Sequence, residues 1–201
     1  MLYDISQPVS PDSSHFPGDE PFSCGWTIHE PQIKVAWART SPHVGTHVDA
    51  PFHYGMERTV DALDLDAFVG PCVVIDAVGQ SELDAKLFKS IDITRAPRVL
   101  FRTQRESDPT RFLTDFPVLT SDAIDALAAA RVKLVGVDAP SMDPVRAKEL
   151  AVHHALGRAG IVNVENLWLD RTNAGTYELL AAPLKWMGLD AAPLRAVLRN
   201  G

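Results

Sequence analysis

The sequence has too few basic residues, and no basic run long enough, to hold a polyanion. Its 19 Lys and Arg residues are outnumbered by 26 Asp and Glu residues, which gives a formal net charge of -7. A chain with this balance would be repelled by a nucleic-acid backbone or by an anionic membrane surface. We therefore expect neither nucleic acid nor a membrane as a partner.

Long apolar runs are also missing. No stretch approaches the roughly 18 uninterrupted apolar residues that a membrane-spanning helix needs. The opening residues, Met-Leu-Tyr-Asp, do not carry the basic segment and apolar segment of a secretory signal. These two features predict a cytoplasmic protein.

Cysteine is scarce. Cys24 and Cys72 are the only two cysteines, and they lie far apart with no Cys-x-x-Cys spacing. Neither a disulfide framework nor a thiolate zinc site is indicated. Any bound metal must therefore be held by nitrogen and oxygen ligands.

In other respects the composition is that of an ordinary globular protein. Hydrophobic residues make up 46% and charged residues 22% of the 201 positions, and no repeat or flexible linker divides the chain. A chain of this length can bury a sizeable core without disulfides. We predict a single domain over residues 1–201.

The local patterns of the first half predict mainly β-structure. Residues 1–22 contain several prolines and are predicted to form an extended arm outside the core. The β-favouring stretches that follow are residues 26–28, 34–37, 44–52 and, as a buried strand, 71–78.

In the second half, helices are predicted to alternate with strands. A helix capped by Thr120 or Ser121 and running through Ala130 leads into a strand at residues 132–137. A second helix, over about residues 145–158 and ending near Gly157 or Gly160, leads into a strand at residues 161–165. Together the two halves predict an α/β domain with a mixed sheet.

Three of the seven histidines fall within residues 43–53. A helix over this segment would place Asp49 about 200° round from His47, and the glycine, the proline and the β-branched residues all disfavour a helix. An extended chain instead sends alternate side chains the same way. It would place on one face His43, Gly45, His47, Asp49, Pro51 and His53, with a largely apolar face behind them.

The alternative interpretation is that a histidine lies on the surface or is hydrogen-bonded in the core, with no role in catalysis or metal binding. We assign His15 and His29 to that class, and we leave the four tryptophans out of the site, because tryptophans are more often packing residues than ligand contacts. The cluster differs, because so many polar groups on one face would lack partners unless an ion or a network satisfied them. Imidazole and carboxylate ligands suit zinc, manganese or iron(II), so we predict metal ligands at His43, His47 and Asp49.

Such a site needs a further donor. The remaining histidine pair, His153 and His154, lies in the second predicted helix, and Glu165 lies near the end of the strand that follows. A histidine pair on an amphipathic helix more often lies on the surface than binds a metal ion, so this spacing alone leaves both a surface role and a metal-binding role open.

The run His-x-Gly-Thr-His-x-Asp-x-Pro-x-His, residues 43–53, resembles the signature of the metal-dependent cyclase-like hydrolase family without a substitution. The resemblance extends over essentially the whole chain. It includes an aromatic residue before Pro-Gly-Asp, here Phe16, Gly-Pro-Cys at residues 70–72, Gly-Val-Asp at residues 136–138 and Glu-Asn-Leu at residues 165–167.

The resemblance implies a swivelling β/β/α fold, a homodimer and two bound divalent ions, typically zinc, with manganese as the alternative. It implies that His43 and His47 bind the first ion, that His153 binds the second, and that two carboxylates, Asp49 and Glu165, bridge both. His154 is the weaker choice, because the metal-binding histidine of the matching motif precedes the glutamate by the 12 residues that separate His153 from Glu165.

The resemblance also implies an activity. Metal-activated water would hydrolyse an aryl formamide, N-formyl-L-kynurenine, to L-kynurenine and formate, with His53 as proton donor and acceptor and Phe16 as a substrate contact. This position is often Trp in the family, so less stacking area is expected here. Two alternatives stay open: a related enzyme that opens a lactam such as isatin, and a non-catalytic metal-binding protein.

Overall fold

The computed structural model describes residues 1–200, and its main feature over that range is a mixed sheet of nine strands. A separate hairpin of two strands lies outside that sheet. In chain order the strands are β1 (Leu2–Asp4), β2 (Ser23–His29), β3 (Lys34–Arg39), β4 (His47–Asp49), β5 (Val69–Asp76), β6 (Arg98–Arg102), β7 (Leu134–Val137), β8 (Val162–Glu165), β9 (Gly175–Leu180), β10 (Ala191–Pro193) and β11 (Val197–Asn200). The α-helices are α1 (Ser121–Ala129) and α2 (Ala151–Ala159), and 3-10 helices cover Pro51–Tyr54, Val60–Ala62, Leu65–Ala67, Ala85–Phe88 and Ile93–Arg95.

The sheet has a parallel centre and antiparallel flanks. Its strand order is β1-β11-β9-β5-β6-β7-β8-β4-β10, in which β5, β6, β7 and β8 are parallel. The helix α1 connects β6 to β7, and α2 connects β7 to β8, as crossovers between parallel strands require. The predicted α/β architecture with a mixed sheet is confirmed.

Alternate residues of the central strands enter two hydrophobic clusters on opposite faces of the sheet. Cys72 and Val74 of β5 belong to one cluster, and Val73 and Ile75 belong to the other. The second cluster is covered by both helices, since Leu127 of α1 and Leu156 of α2 are fully buried in it. Burial of each such leucine contributes about 1.5–3 kcal/mol, and the packed helices hold the crossover loops in place.

The arm predicted over residues 1–22 takes more part in the core than expected. Its strand β1 pairs antiparallel with β11 at the end of the sheet, and Ile5 is fully buried. The prediction rested on local proline and turn composition, whereas the pairing depends on a strand almost two hundred residues further along the chain. Local composition therefore could not reveal it.

The predicted start of the first helix agrees with the structure, whereas that of the second helix differs. Helix α1 begins at Ser121 after the N-cap Thr120, as predicted. Helix α2 begins at Ala151 rather than near residue 145, and it ends before Gly160, whose φ of 70° is the left-handed conformation that terminates helices. Over residues 1–200, no helix combines the length and the apolar character needed to cross a bilayer.

Candidate metal centre

The histidine-rich segment is not one extended ribbon, which corrects the sequence prediction. Only His47–Asp49 forms a strand, Gly45 has a φ of 71° in a turn before it, and Pro51–Tyr54 is a 3-10 helix. Proline has no amide hydrogen to continue strand pairing and has a fixed φ that suits the first turn of a helix. The face predicted from alternation is therefore assembled by two bends of the chain.

These bends still bring the predicted side chains together. The rings of His43 and His53 have centroids 4.5 Å apart, and those of His43 and His47 are 4.9 Å apart. Behind them Val44 and Val48 are buried, but Phe52 is 50% exposed because the 3-10 helix turns it away from the core. The predicted apolar face is therefore buried at Val44 and Val48 but not at Phe52.

The register of the sheet places Glu165 beside the histidine segment. Strand β4 lies between β8 and β10, and it pairs antiparallel with β8 so that His47 lies opposite Glu165 and Asp49 lies opposite Asn163. Side chains that are directly opposite in an antiparallel pair lie on the same face and are neighbours. All four side chains are buried.

His153 reaches this group from helix α2. Its Nε2 atom lies 3.1 Å from Glu165 Oε1 and 3.3 Å from Asp49 Oδ2. Its other ring nitrogen, Nδ1, lies 2.7 Å from Asp143 Oδ2, and the Asp143 carboxylate also accepts hydrogen bonds from the backbone amides of Val152 and His153. Asp143 therefore caps the first turn of α2 and orients the imidazole with the same carboxylate.

The two predicted bridging carboxylates each face two sets of histidines. Asp49 Oδ1 lies 3.0 Å from His43 Nδ1 and 3.2 Å from His47 Nε2, whereas its Oδ2 faces His153. Glu165 Oε2 lies 3.5 Å from His47 Nε2, whereas its Oε1 faces His153. One oxygen of each carboxylate thus belongs to the His43 and His47 side, and the other belongs to the His153 side.

The donor set fits a divalent cation. His47 Nε2 and Asp49 Oδ1 are buried and have no hydrogen-bond partner among residues 1–200, although they lie 3.2 Å apart. Buried polar atoms without partners are costly, and imidazole nitrogen with carboxylate oxygen is a ligand combination that zinc and manganese accept. His47, Asp49 and Glu165 offer ligand atoms close enough together to share one ion, as do His43, Asp49 and His53.

In the protein without a cation, the charge of the carboxylates acts on the histidines. Burial opposes protonation of His153, but hydrogen bonds to Asp143, Asp49 and Glu165 outweigh it and raise the pKa of His153 to about 12. Burial likewise opposes protonation of His43, and Asp190 and Asp49 together raise its pKa to about 10. Burial would raise the pKa of Asp49, but the surrounding histidines hold it well below its usual range.

A cavity of about 400 Å³ opens onto the cluster. His53 lines this cavity, and 30% of its side chain is exposed. Phe16 also lines the cavity, and its ring packs edge-to-face on Phe112 with centroids 5.5 Å apart. His15, which we expected to have no role in a site, also lines this cavity. The cavity therefore joins the predicted proton-transfer group and the predicted substrate contact in one space.

Other predicted residues lie away from the cluster. The ring of His154 packs against Tyr54 with centroids 5.6 Å apart, outside the group of ligand atoms. Trp186 is partly buried against the core, as expected, whereas Trp26 and Trp37 on the hairpin are 56% and 47% exposed. These two are exposed because the hairpin they belong to lies outside the main sheet.

Sequence reasoning missed three polar residues that support the cluster. Asn163 donates from Nδ2 to Asp49 Oδ2 at 2.8 Å, Asp143 orients His153, and Asp190 lies 3.0 Å from His43 Nε2. Asn163 could have been found from the alternation of the strand that carries Glu165. The other two lie in loops with no local pattern, so only tertiary structure reveals them.

Known proteins share this fold and much of this sequence. Residues 3–144 match the family described as putative cyclase, and the chain belongs to that family. The kynurenine formamidase of Salinibacter ruber is 44% identical over 206 residues, which cover 99% of this chain and 97% of that protein.

Solved structures extend the comparison to the fold. A structure titled as a potential metal-dependent hydrolase with cyclase activity superimposes with a TM-score of 0.85 at 29% identity, covering 98% of this chain and 96% of the other. Isatin hydrolase A from Ralstonia solanacearum gives a TM-score of 0.81 at 26% identity, covering 98% and 91% of the two chains. The family resemblance and the cyclase-like fold expected from the sequence are confirmed.

Proposed function

We propose that this protein is a metal-dependent amide hydrolase that converts N-formyl-L-kynurenine to L-kynurenine and formate. Metal dependence is supported by the arrangement of two carboxylates, Asp49 and Glu165. Each directs one oxygen toward His47 and the other toward His153. The substrate assignment is supported by the full-length similarity to a kynurenine formamidase.

The proposal includes two divalent ions, zinc or manganese. His43 and His47 would hold the first ion and His153 the second, while Asp49 and Glu165 would contact both. When bound, such ions lower the pKa of a water molecule and polarise the carbonyl oxygen on which negative charge develops. Four of these ligands are buried, and His43 is partly buried, so their charges act in surroundings that screen them little.

The remaining chemistry falls to the chain's own residues. His53 accepts a proton as water adds to the formyl carbon, and it returns that proton to the aniline nitrogen as the C–N bond breaks, so that formate and a free arylamine leave. A positioned general acid and base of this kind contributes about 100- to 10,000-fold to the rate. Phe16 and Phe112 offer aromatic surface to the aryl ring of the substrate.

The test is to follow N-formyl-L-kynurenine hydrolysis by the purified protein as isolated, after chelation, and after zinc or manganese is added back. We expect turnover that disappears on chelation and returns with metal. Failure of every metal-loaded sample to hydrolyse this substrate would refute the substrate assignment.

Isatin is the second candidate substrate, because isatin hydrolase A from Ralstonia solanacearum shares the fold over nearly the whole chain. Both reactions add water to an amide carbonyl and release an aryl nitrogen, so the same cluster could serve either. The ratio of kcat/KM for the two substrates separates them. We expect it to favour N-formyl-L-kynurenine, and a preference of orders of magnitude for isatin would reverse the assignment.

We also propose a homodimer in which the hairpin β2–β3 contributes to the interface. Trp26, Ile33 and Trp37 of this hairpin are about half exposed, which is unusual for large apolar side chains clustered on one element. Light scattering should give about twice the 22.0 kDa of one chain. Ile33→Asp, at the tip of the hairpin, should weaken that association, and a mass of one chain for the unchanged protein would contradict the proposal.

Two further expectations belong to the proposal. We propose that residues 1–201 act as one domain, because the main sheet draws strands from both ends of the described chain. We also propose a cytoplasmic location, which suits the free cysteines Cys24 and Cys72, of which Cys24 is exposed. Limited proteolysis and cell fractionation test these two points.

A further inference from the structure

Asp190 occupies a position that the backbone fixes firmly beside the cluster. It directly precedes β10, whose register with β4 places Ala191 opposite Asp49. The Asp190 carbonyl accepts a hydrogen bond from the Ala50 amide at 2.7 Å, and the neighbouring Leu189 carbonyl accepts one from the Val60 amide at 3.0 Å. The backbone position of Asp190 is thus set by sheet pairing and by the loop contacts, independently of any ligand.

The Asp190 carboxylate faces two histidines with different predicted roles. Its Oδ2 atom lies 3.0 Å from Nε2 of His43, a predicted metal ligand, and 3.4 Å from Nδ1 of His53, the predicted proton-transfer group. An ionised carboxylate only accepts hydrogen bonds, so both ring nitrogens that face it carry hydrogen. Asp190 therefore favours one particular tautomer of each neutral ring.

For His43 this tautomer leaves the lone pair of Nδ1 directed toward the cluster, where Nδ1 lies 3.0 Å from Asp49 Oδ1. The other predicted ligand histidines follow the same rule. His47 Nδ1 lies 2.9 Å from the Gly45 carbonyl, and His153 Nδ1 lies 2.7 Å from Asp143. Each ring thus has an outer acceptor on one nitrogen and presents the other to the cluster, which is how proteins fix the orientation of metal-binding imidazoles.

For His53 the same contact has a different consequence. A hydrogen on Nδ1 leaves Nε2 as the basic nitrogen, so the proton-transfer role falls to the atom on the far side of the ring from Asp190. Free histidine favours the opposite tautomer, and the ring at the cavity wall is 30% exposed, so some contact must select the less common form. Asp190 makes that contact.

We propose that Asp190 is a positioning residue that sets the tautomer and orientation of both His43 and His53, so that one carboxylate links metal binding to proton transfer. The inference rests on the proposed function for the role of His53. It does not depend on the identity of the substrate, because the same two histidines would serve any amide hydrolysis at this cluster.

The variants for the test are Asp190→Ala, Asp190→Asn and Asp190→Glu, with Asp61→Ala as the matched control. Asp61 anchors the same loop by accepting a hydrogen bond from the Gly188 amide at 2.8 Å, and its side-chain partner is Thr59 rather than a histidine. Because backbone hydrogen bonds already hold the loop, we expect all four variants to fold to the same structure, which circular dichroism at pH 7 checks.

The first readout is zinc affinity by chelator competition. Loss of an outer partner of a metal-binding histidine typically costs about 10- to 100-fold in affinity, and we expect a loss in this range for Asp190→Ala. We expect Asp190→Glu to recover part of it and Asp61→Ala to stay within about twofold of the unchanged protein. Equal losses in Asp61→Ala and Asp190→Ala would make the effect one of loop anchoring and overturn the proposal.

The second readout is the tautomer of His53, measured by long-range 15N–1H NMR on zinc-loaded protein with labelled histidine. We expect Nδ1–H in the unchanged protein and a shift toward Nε2–H in Asp190→Ala. At saturating zinc, kcat should fall at least about tenfold with little change in KM, since proton transfer is affected and substrate binding is not. An unchanged tautomer together with unchanged zinc affinity would refute the proposal, whereas an inactive but zinc-binding wild type would refute only the substrate assignment.

Discussion

His153 Nε2 lies 3.3 Å from Asp49 Oδ2, although 104 residues separate the two in sequence. The contact is made by a helix residue and a strand residue, so it exists only because α2 packs against the sheet next to β4 and β8. It joins the two halves of the predicted metal site, the histidine segment and the His153–Glu165 pair, into one cluster.

Asp49→Ala should remove metal from both predicted positions, because each oxygen of Asp49 faces a different set of histidines. We expect the zinc content of the dialysed protein, measured by elemental analysis, to fall from about two ions per chain to less than one. Asp125→Ala, at an exposed position of α1, is the matched control and should keep its full content. Retention of both ions by the Asp49 variant would contradict the bridging role.

His53→Ala should keep the bound metal and the fold but lose turnover. The side chain lines the cavity, is 30% exposed, and forms its hydrogen bond with Asp190 rather than with Asp49 or Glu165. We expect kcat to fall by about 100- to 10,000-fold, measured at saturating metal and substrate. Loss of metal or of thermal stability in this variant would instead favour a structural role for His53 and the non-catalytic metal-binding protein.

Zinc binding should release protons at neutral pH, and zinc affinity should increase with pH. Without a cation, nearby carboxylates raise the pKa of His43 to about 10 and that of His153 to about 12, so both rings are protonated at pH 7. A histidine binds a metal ion through a neutral ring, so about two protons leave as the ions bind. Calorimetric titration in two buffers of different ionisation enthalpy measures that number, and a value near zero would contradict the prediction.

The same shifts predict how pH affects the stability of the metal-free protein. Both histidine pKa values lie above the unfolded value of about 6.5, so their stabilising effect is fully present below pH 6.5 and is lost as pH rises through about 10 to 12. The unfolding temperature of the chelated protein should therefore decrease between pH 7 and pH 10. The metal-loaded protein should change less over that interval, because its ligand rings are already neutral.

Phe16→Ala should weaken substrate binding more than it slows the reaction. The variant loses the aromatic surface at the cavity wall and the edge-to-face contact with Phe112. We expect KM for N-formyl-L-kynurenine to rise about 5- to 30-fold, equivalent to about 1–2 kcal/mol, with kcat within about twofold. Phe16→Trp keeps a ring and should bind at least as well as the unchanged protein, and a fall in kcat at constant KM would argue against a substrate contact.

The residue types that gather at the candidate metal centre were predictable from local sequence. The spacing of His43, His47, Asp49 and His53 is local, and those residue types have few uses together other than metal binding and proton transfer. The parallel strand β5 and helix α1 were also predictable, because hydrophobic runs and a capping residue are local signals. The α/β class followed from the alternation of such elements along the second half of the chain.

Tertiary structure alone decided how those residues meet. Alternation along an extended chain predicted one shared face, but β4 covers three residues, and the turn at Gly45 and the 3-10 helix from Pro51 carry His43 and His53 into the cluster. The supporting carboxylates Asp143 and Asp190 come from loops whose positions depend on strand pairings far away in the chain. Such pairings are set by the packing of distant apolar surfaces, which no local pattern of residues records.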